Sequence, residues 1–196
     1  YRFGGVCKSF IELVDKEDLN NLDEILLGKE NVIIGKGSNV AFSDKEFQGN
    51  VICPKFTTIK EKSETEITVG ASVFLPDLSR YFKENEFSNG EFLIGIPGTV
   101  GGAVKMNAGA YDWEFSDLVQ YIECFDLNTS NIIKLNKDDI NFSYRSSQNL
   151  DNKIILSATL QIEKGDIHKI KSNLANFNKI RKNSQPPAIY NAGSVF

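Results

Sequence analysis

The sequence is poor in the residues that most metal and nucleophilic chemistry needs. His168 is the only histidine in 196 residues, so neither a Ser-His-Asp triad nor a multi-histidine metal centre can be assembled from this chain. Cys7, Cys53 and Cys124 are odd in number and far apart. That spacing fits neither a disulfide framework nor paired-cysteine metal sites, so they read as buried thiols and no metal is expected. A surplus of one charge is also lacking. With 22 basic and 26 acidic residues the net charge is −4, which excludes a basic nucleic-acid footprint and an acidic solvating tail. Long apolar runs are missing too. The longest, Phe92 to Val104, is broken by Pro97 and by Gly95, Gly98, Gly101 and Gly102, and is too short to span a bilayer. No nucleic-acid partner and no membrane partner are expected. The chain opens on Tyr1 without the apolar run and basic flank of a secretory signal, which points to the cytoplasm.

What is present is an ordinary soluble composition, 41% hydrophobic and 24% charged, enough for a real core. The N-terminal stretch reads as strand, helix, strand: apolar Phe10 to Val14, then Leu19, Leu22, Ile25 and Leu26 at helical spacing behind Asp15 as N-cap, then Val32 to Ile34. Strands are predicted at Val51 to Cys53, Phe56 to Ile59 and Ile67 to Val69, the last two hairpin-like. Pro76 lies early in a second helix. Further strands are predicted at Phe92 to Ile94, Leu118 to Leu127, Ile132 to Leu135 and Ile154 to Ile162, and a last helix behind Asp166 carries Ile167, Ile170, Leu174, Phe177 and Ile180. Strands and helices intermix without strict alternation, so an α+β fold of two small lobes meeting near residue 60 is expected. The apolar ending Ala192 to Phe196 carries no stop signal, which predicts more structure beyond it.

Four segments hold the candidate chemistry. Gly35-Lys36-Gly37-Ser38-Asn39 follows a strand, and its two glycines let consecutive N–H groups converge on a phosphate, with the Ser38 hydroxyl as a further donor. Val40 stands where a Rossmann fingerprint needs its third glycine; a tight turn between strands is the bland alternative. The second segment runs from Gly95 through Ile96, Pro97, Gly98, Thr99, Val100, Gly101, Gly102 and Ala103 to Asn107, Ala108, Gly109 and Ala110. It holds five of the fifteen glycines, interleaved with apolar residues, and reads as a loop built to pack and to cradle a ligand. Two such bends on an acidic chain suit an anion held by backbone donors, such as a dinucleotide pyrophosphate. No Walker A spacing is present. Third, Arg145 lies among aromatic and hydroxyl residues in Asn141 to Ser147, where a surface ion pair is the plain reading. Fourth, Ser194 sits beside Gly193, a common turn pattern.

These segments, in this order, resemble the bacterial UDP-N-acetylenolpyruvoylglucosamine reductases (the MurB family). Arg2-Phe3-Gly4-Gly5, Gly35 to Asn39, the block Gly95 to Tyr111, Tyr144-Arg145-x-Ser147, Arg181, Gln185-Pro186 and Ala192 to Phe196 all carry the likeness. The resemblance implies a two-lobed FAD-binding domain of the PCMH/VAO type, residues 1–60 and 61–165, with residues 166–196 starting a substrate domain. It implies reduction of UDP-N-acetylglucosamine enolpyruvate by NADPH through bound FAD, for peptidoglycan precursors. Gly35 to Asn39, Ile96 to Thr99, Gly101 to Ala103, Asn107 and Gly109 to Tyr111 would hold the cofactor. Arg145 would meet the charge developing on the enolpyruvyl carboxylate, Ser194 would protonate C2, and Tyr144 and Arg181 would touch substrate. Two departures stand out. Asp112-Trp113 replaces a small glycine-containing turn, and the family's C-terminal catalytic glutamate lies beyond the last residue given. The chain by itself is therefore expected to bind FAD and turn over poorly. Another FAD-dependent oxidoreductase of the same fold, a non-catalytic FAD-binding fragment, and an α+β domain without ligand are the competing readings.

Overall fold

The computed structural model describes residues 4–185. The N-terminal part is a three-stranded parallel sheet of β1 (Cys7–Leu13), β2 (Asn31–Ile33) and β3 (Phe47–Pro54), in the order β1-β3-β2. Parallel strands need crossovers, and the sequence supplies two different ones. The first is helical, but in two pieces rather than the one expected. A 3-10 turn (Glu17–Leu19) and α1 (Leu22–Leu26) are separated by Asn21, whose left-handed φ of 59° breaks the run. The N-cap is Lys16 rather than the expected Asp15, which stands one residue earlier; its Oδ1 still accepts from the amides of Glu17 and Asp18, while Asp18 Oδ2 accepts back from Val14 and Asp15. The second crossover, residues 34–46, has no helix and contains the Gly35 to Asn39 loop.

The larger part is a five-stranded antiparallel sheet in the order β4-β5-β12-β8-β9: β4 (Ile59–Ser63), β5 (Glu66–Gly70), β8 (Val119–Asp126), β9 (Asn131–Asn136) and β12 (Lys153–Gln161). The expected hairpin is β4–β5, although the first strand starts at Ile59 and runs into the polar stretch, leaving Phe56 to Thr58 outside it. Between β5 and β8 lie α2 (Leu75–Glu84), α3 (Val100–Met106) and the short hairpin β6 (Gly109–Ala110) and β7 (Trp113–Glu114). Two sequence expectations fail here. Phe92 to Ile94 is not a strand but part of a 3-10 turn (Glu91–Gly95): Phe92 and Leu93 are both buried, so one-sided alternation is absent, and the Leu93 amide reaches back to the Gly90 carbonyl. The glycine block is not all loop, because Val100–Met106 is helical.

After β8 and β9 come α4 (Lys137–Ile140) and the hairpin β10 (Phe142–Ser143) and β11 (Ser146–Ser147); α5 (Ile167–Ser184) closes the described chain. Asp166 caps α5 as predicted, accepting from the amides of His168 (2.7 Å) and Lys169 (3.2 Å). Those same two N–H groups, His168 first, hold its carboxyl below the usual carboxylate range.

The main core lies between the antiparallel sheet and the helices, with Leu78, Phe82, Val104, Ile122 and Leu160 essentially inaccessible. A second core joins the two sheets. Leu13 and Ile52 from the parallel sheet and Leu22 from α1 pack with Phe125, Ile154 and Leu156 from β8 and β12. This joint fixes the parallel sheet against the antiparallel one, and therefore fixes the Gly35 loop relative to the glycine block. Among the described residues no helix is long and apolar enough to cross a membrane.

Candidate functional site

The two glycine-rich segments meet. The hydroxyl of Ser38 donates to the Pro97 carbonyl at 2.7 Å, so it ties one bend to the other instead of standing free as a ligand donor. Gly35 lies against Thr99 so closely that a Cβ there would sit 2.4 Å from the Thr99 hydroxyl oxygen. Gly37 has φ +66° and Gly98 φ +156°, conformations that glycine adopts at least cost. Lys36 places its ammonium 4.0 Å from the centre of the Phe74 ring, at the start of α2.

The hydrogen bonds show what these bends can do. The amides of Gly35, Lys36, Gly37, Ser38 and Asn39 make no bond among the described residues, and neither do those of Gly98 and Thr99. Beyond Thr99 the pattern changes: the Val100 amide donates to the Val73 carbonyl and the Gly101 amide to the Ala71 carbonyl, at 3.0 and 2.8 Å. Gly98 lends its own carbonyl to the Leu75 amide. Amides without a partner among the described residues thus occur in both segments, next to the Ser38–Pro97 contact. Gly102 and Ala103 lie in the first turns of α3 behind Thr99, and Ile96 closes the preceding 3-10 turn through its bond to the Leu93 carbonyl.

The block ends on Asn107, the left-handed C-cap of α3, fully buried. Gly109 and Ala110 then pair with Glu114 and Trp113 in the β6–β7 hairpin. Arg145 is brought to this hairpin from the turn between β10 and β11. Its guanidinium donates to the Gly109 carbonyl (2.8 Å) and the Asn107 carbonyl (3.4 Å), and lies 4.0 Å from the Glu114 carboxylate. Tyr144 is largely exposed and lays its ring beside that guanidinium, 4.8 Å away.

Tyr111 and Arg181 hold α5 to the block. The Tyr111 hydroxyl donates to the Phe177 carbonyl at 3.0 Å, and the two rings stack at 4.3 Å and 7°. Arg181, expected at a substrate phosphate, donates to the Gly95 carbonyl. Asn173 adds a bond to the buried Glu91 at 3.1 Å. Beside this seam is a cavity of about 500 Å³ flanked by Glu91, Phe92, Trp113, Asp166 and Phe177, with Phe92 and Trp113 stacked. Of its carboxylates, Glu91 and Asp166 accept from neighbouring donors.

The structure therefore gathers the Gly35 loop, the Gly95 block, Arg145 with Tyr144, and Arg181 around one region. Ser194 lies outside the described residues. Sequence reasoning missed Glu114, the carboxylate beside Arg145. Its Glu-x-x-Asp capping box with Asp117 was readable; its contact with a residue 31 positions away was not.

Comparison with known proteins bears on the family and the fold. A family described as an FAD binding domain matches residues 27–136. The chain is 36% identical over its whole length to a UDP-N-acetylenolpyruvoylglucosamine reductase of Rickettsia massiliae, of which it covers 67%, and 33% identical to that of Rickettsia bellii, of which it covers 66%. Among solved structures, the UDP-N-acetylenolpyruvylglucosamine reductase (MurB) of Thermus caldophilus superposes with a TM-score of 0.80 at 28% identity, covering 95% of this chain and 66% of that one. The chain thus spans about two thirds of the length of these relatives.

Proposed function

The chain belongs to the UDP-N-acetylenolpyruvoylglucosamine reductase (MurB) family, and from that premise we propose that it forms the FAD-holding part of an enzyme that reduces UDP-N-acetylglucosamine enolpyruvate to UDP-N-acetylmuramate with NADPH, in the cytoplasm, for peptidoglycan precursor synthesis. The observation that carries this reading is the meeting of the two bends through Ser38 and Pro97: amides without a partner among the described residues occur in both, and we read them as one anion cradle. A diphosphate suits such a cradle, because its charge can be met by backbone donors in a chain that is acidic overall. The Gly35–Thr99 approach leaves no room for side chains at the back of the cradle, as a ligand drawn close to main chain requires.

FAD, when bound, supplies the redox chemistry. The rest falls to this chain's own residues. Gly35 to Asn39 and Gly98-Thr99 hold the pyrophosphate, with Ile96, Pro97, Gly101 to Ala103, Asn107 and Gly109 to Tyr111 shaping the wall behind it. Arg145 carries a permanent, planar, multiply donating cation beside that wall. Hydride addition to C3 of an enolpyruvyl group leaves negative charge on C2 and its carboxylate until C2 is protonated, and a guanidinium aimed there lowers the barrier. Ser194 would supply the proton to C2 and Tyr144 would lie on the substrate side, while Arg181 would reach substrate only on leaving the Gly95 carbonyl. Residues 1–60 and 61–165 form the two FAD-binding lobes in this reading, and residues 166–196 lead into the substrate domain.

FAD should raise the melting temperature of the purified chain. A ligand at a hundred times its dissociation constant stabilises by ~2.7 kcal/mol, which for a chain of this size is roughly 5–10 °C. Absence of any shift at saturating FAD, with no flavin fluorescence released on denaturation, would sink the cofactor assignment. In the protein extended by the remainder of its family's length, Ser194→Ala should abolish formation of the muramate product; unchanged turnover would remove the serine from the mechanism.

A further inference from the structure

We propose that Asn107 is a positioning residue whose buried side-chain amide sets the direction of the Arg145 guanidinium; this rests on the reading of Arg145 as the residue that meets the substrate's charge. Asn107 is completely buried with φ 40° and ψ 57°, a left-handed cap position where glycine would cost least. Asparagine is tolerated there, and here its side chain has separate work. Nδ2 donates to Glu114 Oε2 at 2.7 Å and to the Ser143 carbonyl at 3.0 Å, while Oδ1 accepts from the Ser116 amide at 3.1 Å. Both N–H donors of the side chain and its oxygen are engaged, by three residues from two segments of chain.

Each of those bonds bears on Arg145. Ser143 is the last residue of β10 and stands two positions before Arg145, so the bond to its carbonyl pins the stem of the turn that carries the arginine. Glu114 is held through Oε2 while its Oε1 lies 4.0 Å from the Arg145 guanidinium, so Asn107 also orients the arginine's counter-charge. The Asn107 carbonyl itself accepts from Arg145, together with that of Gly109. Arg145 has φ +52°, a left-handed conformation for a long side chain that persists only where its surroundings over-determine it. Two of the five guanidinium N–H donors are thereby fixed on carbonyls, and the remaining donors are left with one direction in which to reach a carboxylate.

The direct test is the rotation of the Arg145 guanidinium, read from its nitrogen-15 and proton resonances in the purified chain. In the unaltered chain the terminal NH2 groups should rotate slowly and give resolved signals. Asn107→Gly keeps the left-handed cap and removes only the side chain, and should collapse those signals into the averaged pattern of a free arginine. Glu114→Gln retains the acceptor for Asn107 and removes the counter-charge, and should give intermediate line widths even if the first variant fails to fold. Unchanged slow rotation in either folded variant overturns the proposal. In the full-length enzyme, Arg145→Lys should slow product formation ~100-fold in the native background, but less than ~3-fold once Asn107→Gly is present. Penalties that simply multiply would also overturn it. If Arg145→Lys alone leaves turnover unchanged, the catalytic reading of Arg145 fails, and the rotation measurement still decides whether Asn107 positions it.

Discussion

The loop at Gly35 to Asn39 and the block at Gly95 to Ala110 are alike in composition, but Gly37 of the first and Gly101 of the second are opposite in use. In the loop, Gly37 keeps its amide unengaged and open, and the nearest neighbour a Cβ there would meet is a Val40 methyl at 3.9 Å. In the block, glycine lets backbones touch: Gly101 donates to Ala71, and a Cβ on it would lie 3.2 Å from the Ala71 Cβ. A cluster of glycines therefore marks a backbone approached closely, without saying whether the visitor is a ligand or the protein itself. The deciding observation is where the N–H groups go.

The comparison is broken most forcefully at Gly109. A Cβ there would meet the Trp113 carbonyl oxygen at 2.4 Å and the Arg145 guanidinium at 2.9 Å, and the first obstacle is main chain of a paired hairpin that cannot step aside. Gly109→Ala should destabilise by about 3 kcal/mol, a fall in melting temperature of roughly 6–12 °C, and no single side-chain change should restore it. Gly35→Ala also brings its Cβ to 2.4 Å, but from the Thr99 side chain. Its cost should be about 2 kcal/mol, with weakened FAD binding, and Thr99→Ala in the same chain should recover part of the stability. Equal rescue at Gly109 and Gly35 would mean that both obstacles yield, and the distinction between a glycine packed on main chain and one packed on a side chain would be lost.

Alkali should separate the packed region by a smaller margin. Cys124 on β8 lies in the main core with α3, and desolvation pushes its thiol up to about 11 against 9.0 when unburied. Below pH 9 the thiol is protonated in both states and contributes nothing to the pH dependence. Above pH 9 the unfolded thiol ionises while the folded one does not, so stability falls until the folded group ionises near pH 11. That loss, about 1–2 kcal/mol, should be absent from the alkaline unfolding profile of Cys124→Ala.

The sequence made much of this legible because the signals were local. Pro76 in the first turn of α2, Asp166 at the cap of α5 and the apolar stretches of β8, β9 and β12 were each readable within a few residues. The failures occurred where distant contacts overrule local preference. Phe92 to Ile94 is apolar enough for a strand, but Phe92 and Leu93 are buried in succession where the segment packs on α2 and α5, and the chain turns there instead. Gly101 and Gly102 disfavour a helix by ~1 kcal/mol each, yet α3 forms, because its first amides are received by the Val73 and Ala71 carbonyls. At the site, the glycine segments and Arg145 could be singled out by type and spacing. The seating of Arg181 on Gly95, 86 residues away, and of Glu114 beside Arg145 belongs to tertiary packing and has no local signature.

Gly37 provides the smallest and most discriminating change. Its φ of +66° costs an L-residue about 1 kcal/mol, while the 3.9 Å to Val40 is ordinary contact, so conformation and crowding are cleanly separated there. Gly37→Ala should lower the melting temperature of the FAD-free chain by roughly 2–4 °C, and Gly37→Asn by less, because asparagine enters the left-handed region more readily. Ordering by left-handed propensity, with asparagine milder than the smaller alanine, is what an open bend requires. Ordering by side-chain size would mean that the loop is as tightly enclosed as the Gly95 block, and its unengaged amides would then face protein rather than a ligand.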